Sequence, residues 1–331
     1  MKVLVSTAPF GATSAAPINL MKDAGIHFAI NSFGRKMTEV ELAEIIDEFD
    51  CLIAGTEAIT SRVLENAGNL KLIARVGIGL DSVDLVQARE QNIRVSYTPD
   101  APSPAVAELT IGLMISTLRS VQISNQEMHN RRWQRFFGRR LSESVIGIIG
   151  VGRIGSRVIE HLSGFGCPEI LANDCDPSVA ARVPDYVKMV EKEQIYRNAD
   201  VISIHVPLTG ETQGMIGAKE FQMFKKDAVL INTARGGIVD ESALGDALVK
   251  KQIFAAAVDT FENEPYRGPL CNIEQCLLTS HMGSMSDDCR ERMELEATQE
   301  IIRFAQGEAL KQEVPVSEYE IQDMLFRGKG A

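Results

Sequence analysis

The 331-residue chain is 45% apolar and 24% charged, the balance of a globular protein with enough length for two cores. Its formal net charge of -11 argues against nucleic acid or an anionic membrane as the main partner, and no apolar run reaches the roughly 18 residues that suggest a span. Six cysteines without a disulfide framework suit a reducing cytoplasm, and "MKVLVSTAPFG" reads as a strand and turn, not a signal peptide.

From residue 2 to 97, the β-rich runs "KVLVS", "HFAI", "CLIAG", "LKLIARV" and "IRVSY" alternate with amphipathic stretches such as "TEVELAEIIDEF". That alternation predicts a mostly parallel sheet covered by helices on both faces. Ser103 and Pro104 suit the start of a helix that continues "AVAELTIGLMISTLRS". It is apolar on nearly all sides, so it is expected to be buried between domains. Alternation resumes with "VIGIIG", "EILAND", "DVISIHV", "AVLINT", "FAAAVDTF" and "CLLTSH", followed by a long helix over 287–306. The expected fold is α/β, with two doubly wound parallel-sheet domains. The first, 1–101 with 288–331, is discontinuous, and the second is 102–287.

Within the second, "HNRRWQRFFGRRLSES" (129–144) is basic with interleaved aromatics. Such a mix can bind nucleic acid, but on an acidic chain a subunit-contact arm is the stronger reading. Cys271, Cys276, His281 and Cys289 fall close in sequence, yet they lack the C-x2-C pairs of structural zinc sites, so no metal is expected.

"VIGIIGVGRIGSRVIEHL" sets Gly150, Gly152 and Gly155 in a G-x-G-x-x-G pattern between an apolar strand and an amphipathic helix. In that context the glycines permit a tight turn, backbone approach to a pyrophosphate and close helix–strand packing. The next strand ends in Asp174, where an acid should take a ribose 2′-hydroxyl. Asp176 follows and no arginine does in "NDCDP", which favours NAD over NADP. "LINTARGGIV" then ends an apolar strand in Arg235, a permanent charge that needs a partner. An anionic substrate group could supply one, because a guanidinium binds a carboxylate bidentately.

In order, "GIIGVGRIG", "HVPLTGETQGMIG", "LINTARGGIVDESAL", "VDTFENEP" and "LTSHMGS" resemble the D-isomer-specific 2-hydroxyacid dehydrogenases, nearest to short 3-phosphoglycerate dehydrogenases without a regulatory domain. The resemblance implies NAD-dependent interconversion of a D-2-hydroxy acid and its 2-oxo acid. It makes Arg235 the substrate-carboxylate ligand, His281 the acid/base and Glu264 its acid partner. It implies that Thr98, Arg153, Ile154, Asp174, Val206, Ala234 and Asp259 contact the cofactor, with Asp259 accepting from the nicotinamide carboxamide. Gly150, Gly152, Gly155, Thr233, Arg235, His281 and Gly283 border it, with Gly236 and Gly237 keeping the backbone slim beside the ring. The amides of Ile78 and Gly79 would bind the substrate carboxylate. Arg75 would either meet a distal anionic group or form a surface ion pair. The 129–144 arm would join the cofactor domain in a homodimer. His205 reads as structural. "GCPEIL" has one residue more than the usual pattern before Asp174, and "TPDAPSPAVAE" has an extra proline near the hinge.

The leading substrate pair is 3-phosphoglycerate and phosphohydroxypyruvate. Glyoxylate, hydroxypyruvate or another sugar-derived acid is the first alternative. A corepressor-like protein that binds NAD without turnover is the second.

Overall fold

A computed structural model of the chain describes residues 1–327. The chain divides into two compact units, Met1–Pro102 together with Ser284 onward, and Ser103–Gly283. Each holds one all-parallel sheet, so the α/β expectation with a discontinuous first domain is met.

In the first unit the strands are β1 (Lys2–Val5), β2 (His27–Ile30), β3 (Cys51–Ala54), β4 (Leu72–Arg75) and β5 (Arg94–Ser96), in the order β2-β1-β3-β4-β5. Every residue of β3 and β4 is buried, which is why both read as unbroken apolar runs. Leu4, Leu52, Ile73 and Val95 turn toward one core. Alternation sends Val3, Ile53 and Leu72 to the other face, which the helix Asp287–Ala305 covers by packing on β3 and β4. The predicted amphipathic helix forms at Glu39–Ile45. Thr38 caps it reciprocally, its hydroxyl accepting from the Glu41 amide while Glu41 accepts from the Thr38 amide at 2.8 Å.

The second unit contains β6 (Val145–Ile149), β7 (Glu169–Asn173), β8 (Val187–Met189), β9 (Val201–Ile204), β10 (Val229–Asn232), β11 (Ala255–Val258) and β12 (Cys276–Leu278). Their order is β12-β11-β10-β9-β6-β7-β8. Ile146, Ile148, Val229 and Ile231 face one core, and Ile149, Ile202, Ile204 and Leu230 face the other. The strand order reverses between β6 and β9, so their carboxyl ends form a crevice of the kind in which doubly wound sheets bind ligands.

The helix Ser103–Leu118 packs on the helix Arg153–Ser163 and on β10 and β11, burying Val106, Ile111, Leu113 and Met114. Ser120, at a left-handed φ of 50°, interrupts the helical run before a second helix, Val121–His129. No single helix among the described residues is long and apolar enough to cross a membrane. Beyond that second helix the arm is irregular to Arg140, with Trp133 and Phe137 exposed.

Candidate active site

The glycine loop sits at the switch point of the second sheet. Gly150 has φ of +94°, and a Cβ there would lie 2.6 Å from the His205 carbonyl oxygen at the end of β9. A Cβ on Gly155 would lie 2.0 Å from the Gly150 oxygen, so the helix Arg153–Ser163 approaches the strand this closely only without one. Gly152 precedes that helix with open space where a side chain would stand, and no side chain caps the helix. A bare helix N-terminus beside a side-chain-free loop fits the pyrophosphate of a dinucleotide. Val206 flanks the loop, its Cγ1 2.8 Å from where a Cβ on Gly150 would stand, while Arg153 and Ile154 begin the helix and remain accessible.

Asp174 directly follows β7. One of its oxygens accepts from the Val151 amide of the glycine loop at 2.7 Å and the other from the Asp176 amide at 2.9 Å. The carboxylate is thereby fixed at the strand end, with lone pairs left for a hydroxyl donor. Asp176 lies in a tight turn, its carboxyl held below its usual range chiefly by the Ser178 hydroxyl and amide, with a weaker pull from Arg182. Arg182 reaches back to Asp176 at 3.0 Å, a cation near this strand end that "NDCDP" does not announce.

Three neighbouring strands end in the catalytic candidates. Arg235 follows β10, Glu264 lies in the loop after β11, and His281 follows β12. Asn232, the last residue of β10, staples the arginine turn. Its side-chain amide donates to the Arg235 carbonyl at 2.9 Å, and its oxygen accepts from the Ala234 amide at 3.1 Å. The sequence reading missed Asn232, whose only mark is a polar residue closing an apolar strand. The Thr233 hydroxyl meets Thr110 of the long helix at 2.9 Å, and Arg235 Nη1 donates to the Ala234 carbonyl at 2.7 Å.

The glycines after Arg235 also have a role in packing the protein itself. A Cβ on Gly236 would stand 1.9 Å from the carbonyl carbon of Phe261, and Gly237 has φ of +82°. Gly236 therefore makes room for the loop that carries Glu264, and Gly237 supplies a left-handed turn.

His281 Nδ1 lies 2.8 and 3.0 Å from the two Glu264 oxygens, and one of those oxygens also accepts from the Phe261 amide at 3.0 Å. Nδ1–H donating to a carboxylate fixes the tautomer that leaves Nε2 as the reactive nitrogen. His281 itself has φ of +51°, an uncommon conformation for a β-carbon residue. Asp259 holds it there. Fully buried, it accepts from the Thr279 hydroxyl at 2.6 Å and from the amides of Met282 and Gly283 at 2.9 Å, while its carbonyl accepts from the His281 amide at 2.8 Å. Asp259 thus organises the histidine turn, a task its motif did not disclose. Gly283 is tight against it, a Cβ there lying 3.2 Å from an Asp259 oxygen.

His205 donates to or accepts from Ser203 at 2.9 Å through Nε2, while Nδ1 is shut from solvent without a hydrogen-bond partner. Burial pushes its imidazole down to about 3.

In the first unit, Arg75 is buried. It donates to the Gly79 carbonyl through Nε at 3.0 Å and Nη2 at 2.7 Å, and to the Gly55 carbonyl through Nη1. It lies away from the surface, with its guanidinium folded onto backbone carbonyls. Thr98 is buried as well, its hydroxyl accepting from the Gly77 amide at 2.8 Å. The Ile78 and Gly79 amides donate to no other group among the described residues, which leaves two adjacent N–H groups for an anion.

Comparison with known proteins agrees with this anatomy. Residues 111–283 match the D-isomer specific 2-hydroxyacid dehydrogenase, NAD binding domain. The chain is 36% identical over 280 residues to the D-3-phosphoglycerate dehydrogenase of Methanocaldococcus jannaschii, an alignment covering 82% of this chain and 53% of that protein. It is 33% identical over 270 residues to the hydroxypyruvate reductase of Thermotoga maritima, covering 80% of this chain and 87% of that one. The crystal structure of the TT0316 protein from Thermus thermophilus superposes with a TM-score of 0.85 at 30% identity, over 95% of this chain and 100% of that one. The chain spans about half the length of the Methanocaldococcus relative. Motif order, sheet topology and these similarities agree, and the chain belongs to the D-isomer specific 2-hydroxyacid dehydrogenase family.

Proposed function

We propose that the chain is an NAD-dependent dehydrogenase that interconverts a D-2-hydroxy acid and its 2-oxo acid. The observation that carries the reading is the His281–Glu264 pair, two oxygens on one ring nitrogen, at the ends of β12 and β11, the latter next to β10, which Arg235 follows. Arg235 binds the substrate carboxylate, and in the first unit the Ile78 and Gly79 amides are donors suited to an anion. His281 Nε2 takes the hydroxyl proton during oxidation and returns it to the carbonyl oxygen during reduction. Glu264 holds the ring and stabilises it when it carries that proton. When bound, the nicotinamide supplies the other half of the chemistry by accepting or giving the hydride at the substrate's C2. Asp174, aimed by the Val151 amide, accepts from a ribose hydroxyl, and a 2′-phosphate beside Asp174 and Asp176 is disfavoured by like charge.

The leading substrate pair is 3-phosphoglycerate and phosphohydroxypyruvate, in keeping with the Methanocaldococcus relative's name. One observation favours the second reading, a hydroxypyruvate or glyoxylate reductase. Arg75, the cation expected to meet a distal phosphate, already donates to two backbone carbonyls. Partner contacts are proposed for the 129–144 arm, where Trp133 and Phe137 stand 82% and 102% exposed amid arginines, as a homodimer surface. The free cysteines fit a reducing, cytoplasmic setting.

The test is NADH oxidation by the purified protein against phosphohydroxypyruvate, hydroxypyruvate, glyoxylate, pyruvate and 2-oxoglutarate, with Arg235→Ala as control. The expected outcome is turnover of at least one acid with at least a hundredfold loss in the control, a loss of the size that follows removal of a charged, bidentate ligand. Binding of NADH without turnover of any acid would sink the enzyme reading in favour of a corepressor-like interaction protein.

A further inference from the structure

The strand order of the first sheet reverses between β1 and β3, so its own ligand-binding crevice lies at their carboxyl ends. Ser6 and Thr7 follow β1 there, and Gly55 and Glu57 follow β3. All are buried, and Glu57 is 1% exposed. A carboxylate excluded from water at this place is costly unless its oxygens receive hydrogen bonds. One Glu57 oxygen receives two, from the Ser6 hydroxyl and from the Gly55 amide, the latter at 2.9 Å. The residue between them has to be glycine. A Cβ on Gly55 would lie 2.7 Å from the Thr7 hydroxyl and 2.9 Å from the other Glu57 oxygen.

Gly55 passes the constraint on. Its carbonyl accepts from Arg75 Nη1, and Arg75 in turn grips the Gly79 carbonyl with two nitrogens. The loop between those contacts is tied at two more points. The Val76 amide donates to the Ala54 carbonyl at 2.8 Å, and Gly77 exchanges hydrogen bonds with Thr98 through both its amide and its carbonyl. On this path the amides of Ile78 and Gly79 donate to no other group among the described residues.

We infer that Glu57 is the positioning residue of the substrate loop, acting through Gly55 and Arg75 to hold the Ile78 and Gly79 amides in a fixed anion-binding geometry. The inference rests on the substrate role given to those amides above. Arg75 then serves the loop as a geometric brace, and its planar fork matters more than its charge. Preorganised donors lower the ordering cost of binding, so loss of the brace weakens anion binding and leaves the proton-transfer pair unaltered.

The experiment compares wild type with Glu57→Ala, Glu57→Gln and Arg75→Lys. It measures KM and kcat for the 2-oxo acid turned over best, the Kd for NADH, and the Kd of oxalate for the NADH-bound protein by calorimetry. Glu57→Ala is expected to raise both KM and the oxalate Kd about tenfold or more, with kcat within about threefold and NADH affinity unchanged, the size of effect that one buried donor left unpaired produces. Glu57→Gln, which keeps an acceptor for Ser6 and Gly55, restores most of that affinity. Arg75→Lys, which keeps the charge and loses the fork, reproduces the Ala phenotype. Unchanged KM and oxalate affinity in folded Glu57→Ala would overturn the inference, as would a loss confined to kcat. Should Glu57→Ala not fold, Arg75→Lys with unchanged oxalate affinity overturns it equally. Oxalate binding by a wild type that turns over no 2-oxo acid leaves the loop assignment measurable while removing the proposed reaction. A wild type that neither turns over an acid nor binds oxalate removes both.

Discussion

At the scale of single residues, the site is built from side chains that hold other side chains. Glu264 spans His281 Nδ1 with both oxygens, and Asp259 secures the left-handed histidine turn with four hydrogen bonds. Holding a non-glycine residue at positive φ costs on the order of 1–3 kcal/mol and persists only where the surroundings overdetermine it. Glu264→Gln keeps the size of the side chain and removes the charge that stabilises a protonated ring. It is expected to lower kcat by about 10²-fold, the range of a positioned acid–base partner. It should also shift the pH–rate profile while the NADH Kd stays near wild type, which stopped-flow assays between pH 5.5 and 9 would read. An unchanged profile would remove Glu264 from the proton-transfer pair. Arg235, Glu264 and His281 stand out in the sequence as candidates because their motifs carry chemistry, and the structure brings the last two into contact. Asn232, Asp259 in its bracing role and Glu57 were not, because each acts through backbone amides that only folding brings within reach.

Among the elements, glycines decide how closely loops and helices meet. Gly236 illustrates the difference between a motif and its reason. "ARGG" suggests slimness beside a cofactor ring, whereas the contact that forbids a side chain is the Phe261–Glu262 peptide. Gly236→Ala therefore has to push apart the two loops that carry Arg235 and Glu264. It is expected to destabilise the second unit by about 3 kcal/mol or more, as overpacking against rigid backbone does, and to lower kcat/KM even where the protein stays folded. Urea denaturation together with steady-state kinetics would check this. A variant as stable and active as wild type would show that the loops yield freely. Strand prediction was sound where both faces are buried, as in β3, β4, β9 and β10. It missed β8, a three-residue edge strand in which Lys188 is exposed and only Val187 is buried. So short and half-polar an edge carries no alternation long enough to read. The helix Val121–His129 was also missed, since the basic arm beyond it drew the reading and its own pattern is only weakly apolar.

For the molecule as a whole, one buried imidazole links stability to pH. Burial pushes His205 down to about 3 in the folded state, against an ordinary value of 6.5. Between those values the unfolded chain binds a proton that the native chain refuses, so stability is complete above pH 6.5 and falls as pH drops toward 3, by about 1.4 kcal/mol per unit for this group. Wild type should therefore lose about 2 kcal/mol from this source between pH 7.5 and 5.0, a loss that His205→Gln does not share. Paired urea titrations of the two proteins at both pH values would measure it, and parallel losses would contradict a buried neutral His205. On this scale the division of labour is plain. Short apolar runs alternating with amphipathic stretches determined two parallel α/β sheets, because strand burial and helix amphipathicity are local, repeating properties of the chain. The glycine loop and the ordered arginine, acid and histidine motifs likewise pointed to the family and to its candidate reactive groups. Only the tertiary structure decided which buried polar groups hold them: Asp259 beneath His281, Asn232 behind Arg235, and Glu57 and Arg75 behind the Ile78–Gly79 amides. A buried carboxylate or amide must find donors or acceptors within hydrogen-bond reach, and those partners lie at strand ends that are distant in sequence and adjacent only once the sheets have formed.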